Sequence, residues 1–201
     1  NKGMKVLGID PAKEIALAAT ESGVETWPRF FDAELAGEVK KKHGPATIVT
    51  VNNLFANVDD LEDMIEGIRE MLAPDGFFVF ETFYLLDLVK NLAFDFIYHE
   101  HLSCFSVKPL EAFFRAHGMQ LVDVQRVPTK AGSVRGFVRL ADAQPKASSS
   151  VGRLISLETE LGLHSSEVFS ALSARIDDAK NRFVALLQQI QAQRKTIAGY
   201  G

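Results

Sequence analysis

Apolar and polar positions alternate in two rhythms along the first 82 residues. MKVLGID, residues 4–10, is an apolar run closing on an acid and reads as a strand. PAKEIALAATESG follows at helical spacing, with Pro11 near its start and Gly23 at its stop. VETWP is a short strand, and DAELAGEVKKKHG is a helix with acids early and lysines late, as the helix dipole favours. ATIVTVNN, uncharged and β-branched, predicts a buried strand. DDLEDMIEGIREML puts Leu61, Met64, Ile65, Ile68 and Leu72 on one helical face. APDG predicts a turn, and FFVFET a second buried strand. Apolar strands alternating with amphipathic helices give an α/β fold, a mostly parallel, doubly wound, Rossmann-like sheet with helices on both faces.

The rhythm changes after residue 106. KPLEAFFRAHG is a helix stopped by Gly118. MQLVDVQRV and SVRGFVRLA are strands separated by the turn-like PTKAG, and so short a link predicts antiparallel pairing, with residues 134–140 as the reversed strand. DAQPKASSS, holding Pro145, reads as a linker. The rest is helical, with residues 166–198 as one long helix. Its stripe of Val168, Leu172, Ile176, Ala179, Phe183, Leu186, Leu187 and Ile190 is a docking face. A doubly wound nucleotide-binding sheet opens with a strand and a glycine-rich turn. None precedes VLGID, and IAGYG at the other end reads as the start of something new. Residues 1–143 are therefore expected to form a core lacking its first strand and glycine loop. Residues 144–201 form a linker and helical segment leading to a further domain.

Composition narrows the function classes. Lys and Arg number 22 against 26 Asp and Glu, a net charge of −4, so no basic footprint for nucleic acid is present. No apolar stretch approaches the roughly 20 residues of a membrane span. Cys104 is the single cysteine, which excludes an intrachain disulfide, suits a reducing cytoplasm, and predicts a small core residue.

Three stretches carry candidate chemistry. Asp10, at the end of the strand in VLGID, can accept ribose hydroxyls or can cap the helix that begins at Pro11. Asn52, Asn53 and Leu54 follow a buried strand, so they stand at the carboxyl edge of the sheet, where open α/β sheets bind ligands. Their amides can hold a zwitterion or can satisfy the local backbone. FDFIYHEHLSCFS, residues 94–106, sets Tyr98, His99, Glu100 and His101 side by side. A catalytic zinc wants three protein ligands, and no second cluster is evident. No serine elbow or CxxC supports nucleophilic catalysis. Acid/base work or a plain polar loop remain: an imidazole takes a proton near neutral pH, and a phenol can donate to an oxyanion.

The YHEH segment, GSVR, VLGIDPA, NNLFANVDDL and PDGFFVFETFYLLDL together resemble the S-adenosylmethionine-dependent sugar C-methyltransferases, most strongly over residues 3–140. The resemblance implies methyl transfer from S-adenosylmethionine to a carbon beside the ketone of a nucleotide-linked deoxysugar. It implies Asp10 as the ribose-binding acid and Asn52, Asn53, Leu54 and Phe55 along the cofactor's methionine part. It also implies Tyr98, Glu100 and His101 as the catalytic group, with His101 the base, and Tyr84 and Arg135 near the sugar-nucleotide. Asn57, Lys130 and Ala131 depart from the family's usual histidine, histidine and glycine, and ETFY stands for EVPY. Two other classes fit the strand-end acid: a non-catalytic Rossmann-like interaction module, and a nicotinamide-dependent oxidoreductase.

Overall fold

The computed structural model describes residues 3–144 and 146–200; Pro145 of the expected linker lies outside them. The elements run β1 (Gly8–Ile9), α1 (Lys13–Glu21), β2 (Thr26–Trp27), α2 (Ala33–His43), β3 (Ala46–Asn52), α3 (Leu61–Met71), β4 (Leu72–Phe83) and α4 (Leu85–Asn91). Then come α5 (Val107–Ala116), β5 (Met119–Val127), β6 (Ser133–Leu140), α6 (Ser149–Glu160) and α7 (Ser166–Ala192).

A four-stranded sheet has the order β3-β4-β6-β5, and β1 and β2 form a separate parallel pair. β3 pairs parallel with β4, while β6 pairs antiparallel with both β4 and β5. Among the described strands of this sheet, β6 alone runs against the rest, as the short PTKAG link predicts. The ends of the helices follow local chemistry. Asp32 caps α2 by accepting from Leu35 N at 2.7 Å, and Asp60 caps α3 by accepting from Asp63 N at 2.9 Å. α2 and α3 cross closely at Gly67, where a Cβ would lie 3.1 Å from Ala33 Cα and Asp32 O.

The APDG segment is not a turn between helix and strand. β4 is continuous from Leu72, which opens the strand instead of closing the helix, and Leu72 pairs with Ala46 while Phe77 pairs with Ile48. The residues between them bulge out of register. Gly76 allows this, because a Cβ there would sit 2.8 Å from Ala46 O.

The core is aromatic. Phe55, Phe78, Phe80 and Phe114 are fully buried, with Phe55 and Phe80 rings 5.4 Å apart and Phe80 and Phe114 5.5 Å apart. The C-terminal segment is helical as expected: α6 ends at Glu160, and the single long helix expected over residues 166–198 is α7, which stops at Ala192 rather than 198. Along α7 Leu172 is buried and Val168 and Ile176 pack on the core, but Phe183 is 60% exposed and Leu186 50% exposed. Cys104 is exposed, not a core residue, since its segment crosses the surface. Among the described residues no helix is long and apolar enough to cross a membrane.

Candidate active site

The carboxyl ends of β3, β4 and β5 gather the polar groups. Asn52 on β3 stands opposite Glu81 on β4, Glu81 opposite Arg135 on β6, and Arg135 opposite Gln125 on β5. Two of the sequence candidates, Asn52 and Arg135, thus share a row through Glu81. Glu81 is 6% exposed and accepts from Thr129 Oγ1 at 2.7 Å and from Arg135 Nη2 at 2.7 Å. The Thr129 hydroxyl first, and then the Arg135 guanidinium, hold its carboxyl below the usual carboxylate range against the opposing effect of burial. Glu81 was not among the sequence candidates; the signal was a lone acid inside the apolar run FFVFET.

Asn53 turns the chain after β3 with a left-handed φ of 55°, and its N–H donates to Glu81 O at 2.7 Å. Asn52, Asn53 and Leu54 are exposed at this edge. Phe55 departs from the expectation. Its ring is fully buried in the aromatic core, 5.0 Å from Phe105, so its side chain is not free for a ligand. Asp10 follows β1, where its Oδ1 accepts from Ala12 N at 2.9 Å, and among the described residues its Oδ2 has no hydrogen bond. The carboxylate therefore supports the chain entering α1 and keeps one oxygen for another donor.

The YHEH segment bends sharply. His101 N donates to Tyr98 O at 3.0 Å, and the bend brings the two side chains together despite the strict alternation of an extended chain. Tyr98 Oη lies 3.3 Å from His101 Nε2, with ring centroids 4.3 Å apart. His101 Nδ1 lies 2.7 Å from Phe96 O. A carbonyl only accepts, so Nδ1 carries the proton and Nε2 presents its lone pair to the Tyr98 hydroxyl. The imidazole is half-buried, 4.7 Å from the Phe83 ring and parallel to Phe96. The segment is tied to the β3 turn through Leu102 N donating to Ala56 O at 2.8 Å. Glu100 is exposed and makes no hydrogen bond to His101 among the described residues. The Phe96 carbonyl, not Glu100, holds the His101 ring. His99 is exposed beside Tyr98.

Tyr84 is the second departure. It is fully buried, and its hydroxyl donates to Glu158 Oε1 at 2.7 Å, so it is a core residue rather than a substrate contact. Burial and the neighbouring Glu158 carboxylate push the phenol far above its ordinary range. Glu158 also accepts from Val107 N at 2.6 Å and Lys108 N at 3.0 Å, so one carboxylate ties the β4–α4 junction, α5 and α6 together. Arg135 keeps a partly exposed guanidinium at the edge, 40% accessible, held by Glu81.

Two family models match this chain: a methyltransferase domain over residues 1–124 and a C-methyltransferase C-terminal domain over residues 128–201. C-methyltransferase NovU of Streptomyces niveus is 35% identical over 199 residues, covering 99% of this chain and 47% of NovU. The chain thus spans about half the length of that relative. Among solved structures, a chain of the complex between the Haloferax volcanii Trm112 methyltransferase activator and a methyltransferase matches with a TM-score of 0.52 at 16% identity, over 70% of this chain and 74% of that one. The plantazolicin methyltransferase BpumL, solved with S-adenosylhomocysteine, matches with a TM-score of 0.50 at 8% identity, over 68% and 67%. At such identities the structural matches speak to fold. On the domain model that matches residues 1–124, more than half of its length, the chain belongs to the methyltransferase-domain family.

Proposed function

We propose that this chain carries the methyl-transfer site of an S-adenosylmethionine-dependent C-methyltransferase that acts on a carbon beside the ketone of a nucleotide-linked deoxysugar. The observation that carries the reading is the Tyr98–His101 pair, with Nδ1 of the imidazole held by Phe96 O and Nε2 facing the phenol. The cofactor is S-adenosylmethionine. When bound it supplies an electrophilic methyl group. Asp10, with Oδ2 unengaged, would hold the ribose, and Asn52, Asn53 and Leu54 would line the methionine part. A further strand with its glycine-rich turn would complete this half between β1 and β3. Ile15, Leu17 and Ile48, each about 60% exposed, support that completion.

A carbon beside a ketone must lose a proton before it can attack a methyl group. His101 Nε2 takes that proton, and the C–H electrons move to the carbonyl oxygen. The Tyr98 hydroxyl, released from Nε2, donates to the developing enolate oxygen. The Phe96 carbonyl keeps its hydrogen bond throughout and stabilises the imidazolium. The carbon then attacks in line, and the protein's remaining part is to hold the two reactants in register.

The test is solvent exchange of the α-proton, followed by NMR in deuterated water with intact enzyme and nucleotide-linked ketosugar. Exchange should slow by about 10²–10⁴-fold in His101→Gln, the usual cost of losing a proton-transfer group. Exchange at the wild-type rate would assign the base elsewhere. Calorimetry should also show binding of S-adenosylhomocysteine and none of NAD.

A further inference from the structure

A cleft of about 460 Å³ lies between α4 and the turn that joins β5 to β6. Asp87 and Asn91 line it from α4, Arg126 and Pro128 from the end of β5, and Ala131 and Gly132 from the turn. It plays no part in the acid/base pair, yet the two are neighbours. Phe83 packs on the His101 ring at 4.7 Å, and the next residue, Tyr84, donates its N–H to Gly132 O at 3.1 Å. Cleft and pair therefore flank consecutive residues at the carboxyl end of β4.

The cleft is built, not incidental. Asp87 is 5% exposed and takes Arg126 through Nε at 3.3 Å and through Nη2. That grip fixes the guanidinium, which also lies 5.9 Å from the Tyr84 ring. Nη1 has no hydrogen bond among the described residues, and the side chain is 39% exposed, so the free edge of the fork is available to a ligand. The turn is strained. Lys130 and Ala131 hold left-handed φ values of 51° and 61°, a conformation that is unfavourable for side-chain-bearing residues and gathers at ligand sites. It persists because Asn91 Nδ2 donates to Ala131 O at 2.7 Å and because Gly132, at φ 127°, packs against the Asp87 side chain.

The charges select an anion. Asp87 offsets Arg126 within the lining, and exposed Lys130, next to the lining residue Ala131 on the turn, adds positive charge beside the cleft. A free guanidinium edge beside a lysine suits an elongated polyanion: the planar fork grips phosphate oxygens and the ammonium acts as a point charge. We propose that this cleft is the subsite for the diphosphate of the nucleotide-linked substrate, with Arg126 donating through Nη1 and Lys130 neutralising the outer phosphate. The proposal rests on the nucleotide-sugar reading above and names where that substrate's charged end sits.

The experiment is calorimetry on the full chain with thymidine diphosphate, uridine diphosphate, inorganic pyrophosphate and thymidine. Both nucleotides and pyrophosphate should bind, and thymidine should bind at least tenfold more weakly. Arg126→Gln should lower diphosphate affinity by about 10–100-fold, the loss of a hydrogen bond to a charged group. Because that change strands the Asp87 carboxylate, the paired variant Asp87→Asn/Arg126→Gln, free of the buried charge, should show the same loss. Lys130→Ala, at the surface, should lose severalfold, and Arg182→Gln on α7 should lose nothing. Unchanged diphosphate affinity in both Lys130→Ala and the paired variant overturns the proposal, as does equal binding of thymidine. Diphosphate binding that depends on Arg126, with no ketosugar methylation by the intact enzyme, would overturn the reaction and leave the subsite standing. Ketosugar turnover with a KM unmoved in these variants would do the reverse.

Discussion

Two regions of the molecule are built from similar sequence and end in different states. The β3–β4–β6–β5 sheet closes over an aromatic core in which Phe55, Phe78, Phe80 and Phe114 are fully buried. The β1–α1–β2 region has comparable apolar residues, but Ile15 is 59% exposed and Leu17 61% exposed, while Ala16 is buried. An amphipathic helix gains little from its apolar face until that face meets a surface, so α1 contributes little packing, whereas the first region holds the large aromatic core. The candidate acid/base pair is mounted on the stable region and Asp10 on the other. On the proposed roles, proton transfer and cofactor grip fall in different regions, and substitutions in the two regions should separate in the same way.

The largest difference is in stability. Phe80→Ala should destabilise the chain by about 3–5 kcal/mol, the cost of emptying a buried aromatic site. Leu17→Ala should change stability by about 0.5 kcal/mol or less, because an exposed side chain loses no packing. Denaturant unfolding of both variants checks this, and a large loss from Leu17→Ala would mean that α1 is packed in solution.

Glu158→Ala comes next. It leaves the Tyr84 hydroxyl and the N–H groups of Val107 and Lys108 without their acceptor, at about 1–3 kcal/mol for a buried donor left unpaired. The loss should appear in the same unfolding experiment. Tyr84→Phe, which removes one donor and keeps the ring, should cost less. Equal costs would show that the α5 amides do not depend on this carboxylate.

Asp10→Ala should leave unfolding nearly unchanged and weaken S-adenosylhomocysteine binding by about 1–3 kcal/mol in the full-length protein, the scale of hydrogen bonds to a charged acceptor. Titration calorimetry decides. Unchanged affinity would reduce Asp10 to its bond with Ala12 N. The chain by itself, with β1 and α1 open, should bind the same ligand poorly.

The same contrast explains what could be read from the sequence. β3, β4, β5 and β6 were legible because β-branched and aromatic runs face a real core, and the reversed direction of β6 followed from a link too short for a crossover. The bulge at residues 73–76 was not, since Pro, Asp and Gly favour turns and bulges alike. Phe55 and Tyr84 were misplaced because an aromatic beside a ligand edge and an aromatic beneath it look the same in one dimension. Residue type made Tyr98 and His101 candidates and the family resemblance implied them as catalytic, but their contact depends on a bend that alternation forbids. Glu81 escaped notice because its role is set by Thr129 and Arg135, 48 and 54 residues away in sequence.

Glu81 also gives the smallest expected effect and the sharpest test of the stable region. Its folded pKa is depressed, so the folded state binds its proton less readily than the unfolded chain does. Stability from this group is therefore fully present above the ordinary carboxylate pKa of about 4.3 and is lost as pH falls through the lower folded value. Glu81→Gln keeps the size and one acceptor but removes the titration and the charge facing Arg135. At neutral pH the variant should be modestly less stable than wild type. As pH falls below about 5 and through the depressed folded pKa the wild type should lose the advantage it had, so the two stability curves converge as the acid limb is entered. Urea unfolding of both proteins across that range measures the gap directly. A gap that stays constant with pH would mean that the Glu81 carboxyl titrates alike folded and unfolded, and that the row from Asn52 to Arg135 is held by packing rather than by charge.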